Sequence, residues 1–411
     1  MQTERTLPDW LNKDYMEEKL RSFHKDAELS VIKLWSLTAS GKGENFVGII
    51  TRIYVDFKLS NGEQQQRSYL LKETCPDDAP QAAIFIEYNI YEREMDMYEF
   101  VLPTMSQLLS EAGITEKLHA DALSVDREHG IIILEDLSPL NYKNADRVKK
   151  LDFEHTRLTL EMLAKFHAAA FVLDKLYPEM LAKNFNRSFY TRGVKGYTKV
   201  FTGFFKTLVR YVESQPKLKQ RYHEKLVQLT DNVMEYAARC FDVDEDDFST
   251  LIHGDCWTTN IMFQYDAKGK PVSVLPIDFQ FSTRTSSTMD LHYFFNTSLQ
   301  EEVFNHESEL VQIYYYALKS ALENLQYKGN FPTLNAFQMQ FERRRFAGLL
   351  AMNFQPMMTY VGSDFSGFND FFDSNPEAIR FQNSLYDRAE IQYIVHKMLP
   401  IFDARGLLDP Q

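Results

Sequence analysis

The sequence has little cysteine and no long apolar run. Its 411 residues include three cysteines, Cys75, Cys240 and Cys256, too few and too widely spaced for a disulfide framework or a paired-cysteine zinc site. No run of about 18 apolar residues occurs, and the first twenty residues mix both charges without an apolar core, so neither a membrane span nor a secretory signal is expected. These absences predict a cytoplasmic protein.

Positive charge is also in short supply. The chain has 45 lysines and arginines against 58 aspartates and glutamates, a net charge of −13. An acidic body repels phosphate backbones, so no nucleic-acid partner is expected. Hydrophobic residues make up 44% and charged residues 25%, which excludes disordered, collagen-like and coiled-coil chains. Nothing in the sequence indicates an oligomer, and a monomer is assumed.

The hydrophobic patterns divide the chain into a β-rich first third and a helical remainder. The first third is predicted to contain a helix over 9–25, strands over 30–38, 46–58 and 67–74 with a hairpin turn at Asn61-Gly62, a helix over 81–100 that ends before Pro103, and a strand over 131–136. The remainder is predicted to contain helices over 153–173, 197–212 and 218–241, a β-hairpin over 260–279, and further helices from about Met289 onwards. This predicts an α+β fold with a small β-rich N-lobe (1–136), a large mainly helical C-lobe (137–411) and a cleft between them.

Two segments of the second half carry polar residues beside apolar strands. HGDCWTTN (253–260) supplies Asp255 and Asn260 on one loop, and IDFQ (277–280) supplies Asp278. Phosphoryl transfer needs a carboxylate that orients and deprotonates the attacking hydroxyl, and oxygen ligands that hold magnesium against the phosphates. Magnesium takes one or two carboxylates plus phosphate oxygens, a set that suits Asn260 and Asp278. A β-hairpin between the segments would place Asp278 beside the loop.

The pair HGDxWxxN and IDFQ resembles the choline-kinase and aminoglycoside-phosphotransferase branch of the protein-kinase-like fold. More narrowly, HGDxW, DFQ in place of DFG, LEDL at 134–137 and LAKFHA at 163–168 resemble the ecdysteroid kinase-like family, from about residue 30 to residue 399. The resemblance implies a two-lobed kinase-like fold, ATP and Mg²⁺ as cofactors, Asp255 as catalytic base, and Asn260 and Asp278 as metal ligands. Asp290, at the start of a helix, is predicted to cap that helix or to anchor the catalytic loop.

A kinase also needs a cation on the ATP phosphates and an anion that holds this cation in place. Lys72 ends the third predicted strand, where such lysines lie in kinases. The family pattern of a glutamate four residues before a tyrosine selects Glu94 as its partner, with Glu87 as the substitute.

The resemblance also implies the positions of two backbone contacts to the nucleotide. The phosphate-covering loop falls on Gly43, Glu44 and Asn45, although GKGENFVG does not fit GxGxxG and a plain hairpin turn is the alternative. The LEDL segment is the connection between the lobes, where backbone groups from Glu135 to Leu137 would pair with the adenine edge.

The acceptor is predicted from two aromatic stretches, 185–211 and 354–372, of which ordinary core accounts for a part. The segment 362–370 has loop composition, and aromatic residues on a loop are harder to bury as core. An apolar pocket with few polar groups suits a rigid hydrophobic alcohol. An aminoglycoside pocket would instead be acidic, and a choline pocket would be an aromatic cage.

These observations and the resemblance together predict an ATP- and Mg²⁺-dependent phosphotransferase. Its acceptor would be the hydroxyl of a lipophilic alcohol, an ecdysteroid or other steroid, in hormone inactivation or detoxification. The alternatives are a choline/ethanolamine-type kinase and a catalytically silent binder of lipophilic hormones or xenobiotics. A protein kinase is disfavoured because no APE-like segment follows Asp278.

Overall fold

The computed structural model describes residues 6–38, 49–74, 82–188, 190–192, 195–362 and 367–410. Its first part is an antiparallel five-stranded sheet with the strand order β1-β2-β3-β5-β4. The strands are β1 (Ser30–Thr38), β2 (Ile49–Lys58), β3 (Gln64–Glu73), β4 (Ala122–Asp126) and β5 (Ile131–Glu135). The predicted turn at Asn61-Gly62 joins β2 to β3, and Gly62 takes the left-handed conformation (φ 87°) that this turn requires.

One face of the sheet is covered by helix α1 (Lys13–His24). The Asn12 side chain caps α1 by accepting a hydrogen bond from the backbone N–H of Tyr15, 3.1 Å away. Met16 and Leu20 of α1 are fully buried in one cluster with Ile53 and Val55 of β2. Because side chains alternate along a strand, residues next to those that face this cluster lie on the opposite face of the sheet.

The helical segment after β3 is longer than predicted. It comprises α2 (Ala82–Tyr88), α3 (Ile90–Asp96), a π-helical turn (Met97–Val101) and α4 (Leu102–Glu111). The helix was predicted to end before Pro103. Instead, Pro103 lies in the first turn of α4.

The second part of the chain is mainly helical, with short strands between the helices. Its long helices are α5 (Phe153–Leu176), α7 (Lys195–Ser214), α11 (Thr288–Ser298), α13 (Glu307–Asn324), α15 (Phe346–Met358) and α17 (Ala389–Ala404). The shorter helices are α6 (Pro178–Ala182), α8 (Pro216–Leu218), α9 (Glu224–Thr230), α10 (Val233–Phe241), α12 (Glu301–Phe304), α14 (Leu334–Arg343) and α16 (Pro376–Leu385), with a π-helical turn at Lys219–His223. The single helix predicted over 218–241 is therefore interrupted. One break falls at Asp231-Asn232, whose short polar side chains compete with helical hydrogen bonding.

Two small sheets lie among these helices. The strands β6 (Lys143–Asn144), β8 (Ile261–Tyr265) and β9 (Pro271–Pro276) form one, and β7 (Ser249–Ile252) and β10 (Thr283–Ser286) form the other. The predicted hairpin is β8–β9, and its pair Ile261↔Pro276 places the end of β9 beside the start of β8. Sequence patterns missed β6, β7 and β10, which have only two to four residues each.

The α+β class with a β-rich first part and a mainly helical second part is confirmed. A lobe boundary between residues 136 and 137 stays a prediction. Across the described ranges, no helix has both the length and the hydrophobicity of a membrane span.

Candidate active site

The loop between β7 and β8 carries the HGDCWTTN motif and is held by Asp290 of α11. The buried Asp290 carboxylate accepts hydrogen bonds from the backbone N–H groups of His253 (2.8 Å) and Gly254 (2.9 Å), and His167 Nε2 lies 3.0 Å from it. Burial opposes ionisation of Asp290, but His167 and these hydrogen bonds hold the pKa of its carboxyl below the usual value. Of the two roles predicted for Asp290, the structure shows the one in which it anchors the loop 253–260.

Gly254 allows the loop to approach the segment after β9. Its φ is 83°, and a Cβ placed there would lie 2.2 Å from the carbonyl oxygen of Phe281. Only glycine combines this backbone conformation with so close a contact. The loop therefore passes directly beside the chain that follows IDFQ.

Asp255 and Asn260 face each other across this loop. The Asn260 amide nitrogen donates to Asp255 Oδ2 (2.8 Å) and to the Asp255 backbone oxygen (2.9 Å). The Tyr293 hydroxyl donates to Asp255 Oδ1 at 2.6 Å. Burial raises the pKa of Asp255 to about 8, with a further contribution from Asp278, although the hydrogen bonds from Tyr293 and Asn260 favour the charged form. Both carboxylate oxygens are thus oriented by neutral donors.

Asp278 follows β9 and reaches the lysine of the N-terminal sheet. The backbone of Asp278 is left-handed (φ 70°), which turns the chain after β9. Its side-chain oxygen Oδ1 lies 2.7 Å from Lys72 Nζ, and Oδ2 accepts a hydrogen bond from the Gln280 amide at 3.2 Å. Lys72 Nζ lies 2.6 Å from the buried Glu94 carboxylate of α3. Lys72 therefore bridges Glu94 and Asp278, residues from opposite parts of the chain.

The position of Lys72 follows from strand alternation. Tyr69 and Leu71 of β3 face the cluster covered by α1, so Lys72 lies on the other face, towards α3. Burial lowers the pKa of Lys72, but the carboxylates of Asp278 and Glu94 outweigh it and raise this pKa above its usual value. Glu87, the substitute partner, is exposed, and the structure pairs Lys72 with Glu94.

The residues predicted for backbone contacts are partly described. Gly43, Glu44 and Asn45 lie outside the described residues. The Glu135 carboxylate binds Lys117 and accepts from the backbone N–H of Asp121 at 3.1 Å. The backbone oxygen of Leu137 accepts from the N–H groups of Leu140 (3.1 Å) and Tyr142 (3.2 Å), which closes a turn after β5.

Sequence reasoning missed Asp136, which lies between Glu135 and Leu137. Its carboxylate is 5% exposed and accepts hydrogen bonds from Arg52 Nε (2.8 Å) and Ser68 Oγ (2.7 Å), on β2 and β3. The sequence contained a signal for this role, because Asp136 directly follows an apolar strand and a buried carboxylate needs hydrogen-bond donors. Asp136 thus ties the segment after β5 to the sheet.

An apolar pocket extends from the catalytic loop. Its lining includes Asp255, Asn260 and Asp278, and most of its remaining wall is aromatic or apolar. The predicted aromatic stretches contribute Tyr190, Phe201, Phe204, Phe354 and Phe368. Other members of those stretches pack in the protein core: Phe185, Tyr197, Phe205, Phe371 and Phe372. The aromatic composition therefore reflects both core and pocket.

Tyr293 is the second residue that sequence reasoning missed. It lies three positions after Asp290 on α11, so both side chains are on neighbouring positions of one helix face. Asp290 holds the backbone of the loop, while Tyr293 holds the side chain of Asp255. A tyrosine three positions after the predicted anchor Asp290 was the sequence signal that could have identified Tyr293.

The donors of the predicted metal site are few. Among the described residues, no group of three or more His, Cys, Asp or Glu side chains is placed to hold a metal ion. Magnesium, however, needs only one or two protein oxygens when phosphate supplies the rest. Asn260 and Asp278 are such oxygen donors: Asn260 directly precedes β8, Asp278 follows β9, and the Asn260 backbone oxygen accepts from the N–H of Ile277 at 2.9 Å.

The first part of the chain is a small antiparallel sheet with the buried pair Lys72–Glu94, and the helical second part carries the loop with Asp255. This arrangement defines a kinase-like fold. The chain belongs to the ecdysteroid kinase-like family, whose sequence model matches residues 42–327, more than half of the 411 residues. It is therefore a member of a kinase-like family. The resemblance found in the sequence motifs is confirmed. A comparison with curated proteins found no match.

Several solved structures are similar over most of the chain. A choline kinase from Cryptosporidium parvum Iowa II is 11% identical, with 97% of this chain and 96% of that chain covered and a TM-score of 0.42. An aminoglycoside-3'-phosphotransferase of type VIII is 13% identical over 80% of this chain and 98% of that chain, with a TM-score of 0.34. The macrolide 2'-phosphotransferase MphH from Brachybacterium faecium is 10% identical over 97% and 99%, with a TM-score of 0.33.

Proposed function

We propose that the protein is a cytoplasmic, ATP- and Mg²⁺-dependent kinase of small molecules that phosphorylates the hydroxyl of a lipophilic alcohol, an ecdysteroid or other steroid. The observation that carries the proposal is the continuity of the apolar pocket with Asp255. A pocket with apolar walls and a few polar groups binds an apolar molecule and orients its polar group. Here, one of those polar groups is the Asp255 carboxylate, which is suited to deprotonate a hydroxyl.

In this proposal, residues 1–136 form the nucleotide-binding lobe and 137–411 the lobe with the catalytic loop and acceptor pocket. ATP lies in the cleft, where Lys72, held by Glu94, contacts its phosphates. The backbone of Glu135 to Leu137 pairs with the adenine edge, and Gly43, Glu44 and Asn45 cover the phosphates. Asn260 and Asp278 would hold Mg²⁺, which neutralises phosphate charge when bound.

Asp255 accepts the proton of the acceptor hydroxyl while the hydroxyl oxygen forms its bond to the γ-phosphorus. The bond from that phosphorus to the bridging oxygen breaks, and ADP leaves with its electron pair. Tyr293 and Asn260 hold the two oxygens of Asp255, at 2.6 and 2.8 Å, so the carboxylate has one orientation towards the pocket. Such orientation is a positioning contribution to the rate.

Tyr293→Phe tests this positioning role. The substitution removes the hydroxyl that donates to Asp255 Oδ1 and keeps the ring in the pocket wall. We expect kcat to fall by about 10- to 150-fold, with the KM for ATP within about twofold of the wild type, because one charge-assisted hydrogen bond is worth about 1.5–3 kcal/mol. Steady-state kinetics with ATP as the varied substrate give both values. A rise in the KM for ATP at unchanged kcat would contradict the assignment.

The acceptor class is tested by a screen for ATP-dependent phosphate transfer. The purified chain is incubated with [γ-³²P]ATP, Mg²⁺ and panels of ecdysteroids, other steroids, plant alcohols, choline and ethanolamine. We expect labelled product with lipophilic alcohols. Labelling of choline instead would support the choline-kinase alternative, since the pocket wall is aromatic. If no alcohol is labelled and Mg²⁺-ATP leaves the melting temperature unchanged, the protein is a silent binder and the proposal is wrong.

A further inference from the structure

A second cavity lies at the end of α11 and shares no lining residue with the acceptor pocket. It is lined by Lys149 and Lys150, the end of α11, α12, Gln355 of α15 and α17. Its apolar wall consists of Phe295, Leu299, Phe304, Ile394 and Met398. The cavity is therefore independent of the proposed kinase chemistry.

Lys150 contributes a positive charge to this cavity. Its backbone is left-handed (φ 61°), an uncommon conformation for lysine, and the chain on either side is fixed to the segment after α11. Leu151 N–H donates to the Ser298 oxygen at 2.8 Å, and the Gln300 amide donates to the Lys150 oxygen at 3.3 Å. The lysine side chain is thus held at the cavity by its backbone.

The ammonium group of Lys150 has a neutral partner. Nζ donates to the Gln355 amide oxygen at 2.5 Å, and among the described residues no carboxylate lies within ion-pair distance. The charged group that acts on it is another cation, Lys397. Burial, helped by Lys397, lowers the pKa of Lys150 to about 8. A partly buried cation without a counter-ion is costly, and an anion bound beside it would remove that cost.

The carboxylates that line the cavity, Glu301, Glu302 and Glu390, form no ion pair with Lys150. Glu301 binds Lys397 at 2.8 Å and accepts from the Tyr393 hydroxyl at 2.7 Å. Glu390 lies 3.7 Å from Arg388, and Glu302 is exposed to solvent. The acidic groups are therefore engaged elsewhere or solvated, and Lys150 remains without a negative partner.

We propose that this cavity binds an aliphatic monocarboxylate, with its carboxylate on Lys150 and its chain along the apolar wall. The charge of Lys150 selects an anion, and the five apolar side chains select a ligand with a hydrocarbon body. A neutral alcohol of the same length lacks the ionic contact, and inorganic phosphate lacks the apolar one.

Titration calorimetry with decanoate, decanol and inorganic phosphate tests the proposal on the full chain. Lys150→Met removes the charge, and Lys268→Met is the matched control because Lys268 is exposed and does not line the cavity. We expect decanoate to bind the wild type and Lys268→Met equally, and Lys150→Met at least about tenfold more weakly, the equivalent of about 1.4 kcal/mol. Decanol and phosphate should bind at least about tenfold more weakly than decanoate.

Ile394→Trp provides a second variant that leaves Lys150 in place. Ile394 is half-buried in the apolar wall, and a larger side chain there fills the cavity, so decanoate binding should be lost. Thermal unfolding shows whether each variant is folded. Decanoate affinity that is unchanged in both Lys150→Met and Ile394→Trp, or decanol or phosphate affinity equal to that of decanoate, overturns the proposal. These outcomes do not depend on kinase activity and leave the proposed function untouched.

Discussion

Replacing Asp255 with asparagine is expected to lower kcat for ATP-dependent phosphorylation by about 10²–10⁴-fold, the usual contribution of a positioned general base. The amide has nearly the same shape as the carboxylate but cannot take up the proton of the acceptor hydroxyl. The loop itself is held by Asp290 through the backbone of His253 and Gly254, so it does not depend on the charge of Asp255. The loss should therefore be catalytic rather than structural.

The measurement uses an acceptor identified in the phosphate-transfer screen and follows steady-state product formation at saturating ATP and acceptor. Asp387→Asn is the matched control, because the same chemical change falls on an exposed side chain and should leave kcat unchanged. The melting temperatures of both variants should agree with that of the wild type within a few degrees. A rate for Asp255→Asn within threefold of the wild type would refute the assignment of the base.

Gly254→Ala is expected to lower the free energy of unfolding by about 2–5 kcal/mol. A left-handed backbone costs a residue with a Cβ about 1–2 kcal/mol, and crowding in a packed site costs about 1–3 kcal/mol more. The new Cβ would meet the Phe281 carbonyl oxygen at 2.2 Å, and this backbone atom cannot rotate away as the end of a side chain would. The loop must then move away from the segment that follows IDFQ.

Gly62→Ala separates the cost of a left-handed backbone from the cost of the contact with Phe281. Gly62 has a similar φ of 87°, but nothing lies within 4 Å of a Cβ placed there, so only the backbone cost of about 1–2 kcal/mol applies. Urea unfolding of the two variants and the wild type gives the difference. Equal losses for Gly254→Ala and Gly62→Ala would show that the contact with Phe281 is relieved without cost.

The sequence was sufficient to predict the elements that have a strong local pattern. The alternation and the Asn-Gly turn of β2 and β3 gave the hairpin that places Lys72, and the spacing of HGDxWxxN and IDFQ gave the β8–β9 hairpin. The short strands β7 and β10 were missed because four residues are too few for a period to be recognised. Their pairing depends on the tertiary contacts of the surrounding helices.

The residues of the candidate site also divide into those that local sequence motifs predicted and those that they missed. Asp255, Asn260 and Asp278 stand in two compact motifs, and Lys72 and Glu94 occupy expected positions on a strand and a helix. Tyr293 and Asp136 act through contacts with residues that are 38 and 84 positions away, Asp255 and Arg52. A local pattern can mark such a residue, but it does not identify the partner, because the partners become neighbours only when the helices and the sheet have packed.

The bridge from Lys72 to both Glu94 and Asp278 has a consequence for ligand binding. Lys72 Nζ has three N–H groups, and the carboxylates of Glu94 and Asp278 occupy two of them. If a phosphate oxygen of the proposed nucleotide replaces Asp278 on Lys72, the apparent nucleotide affinity is the intrinsic affinity reduced by the work of separating these two side chains. Nucleotide binding and movement of Asp278 would then be a single coupled event.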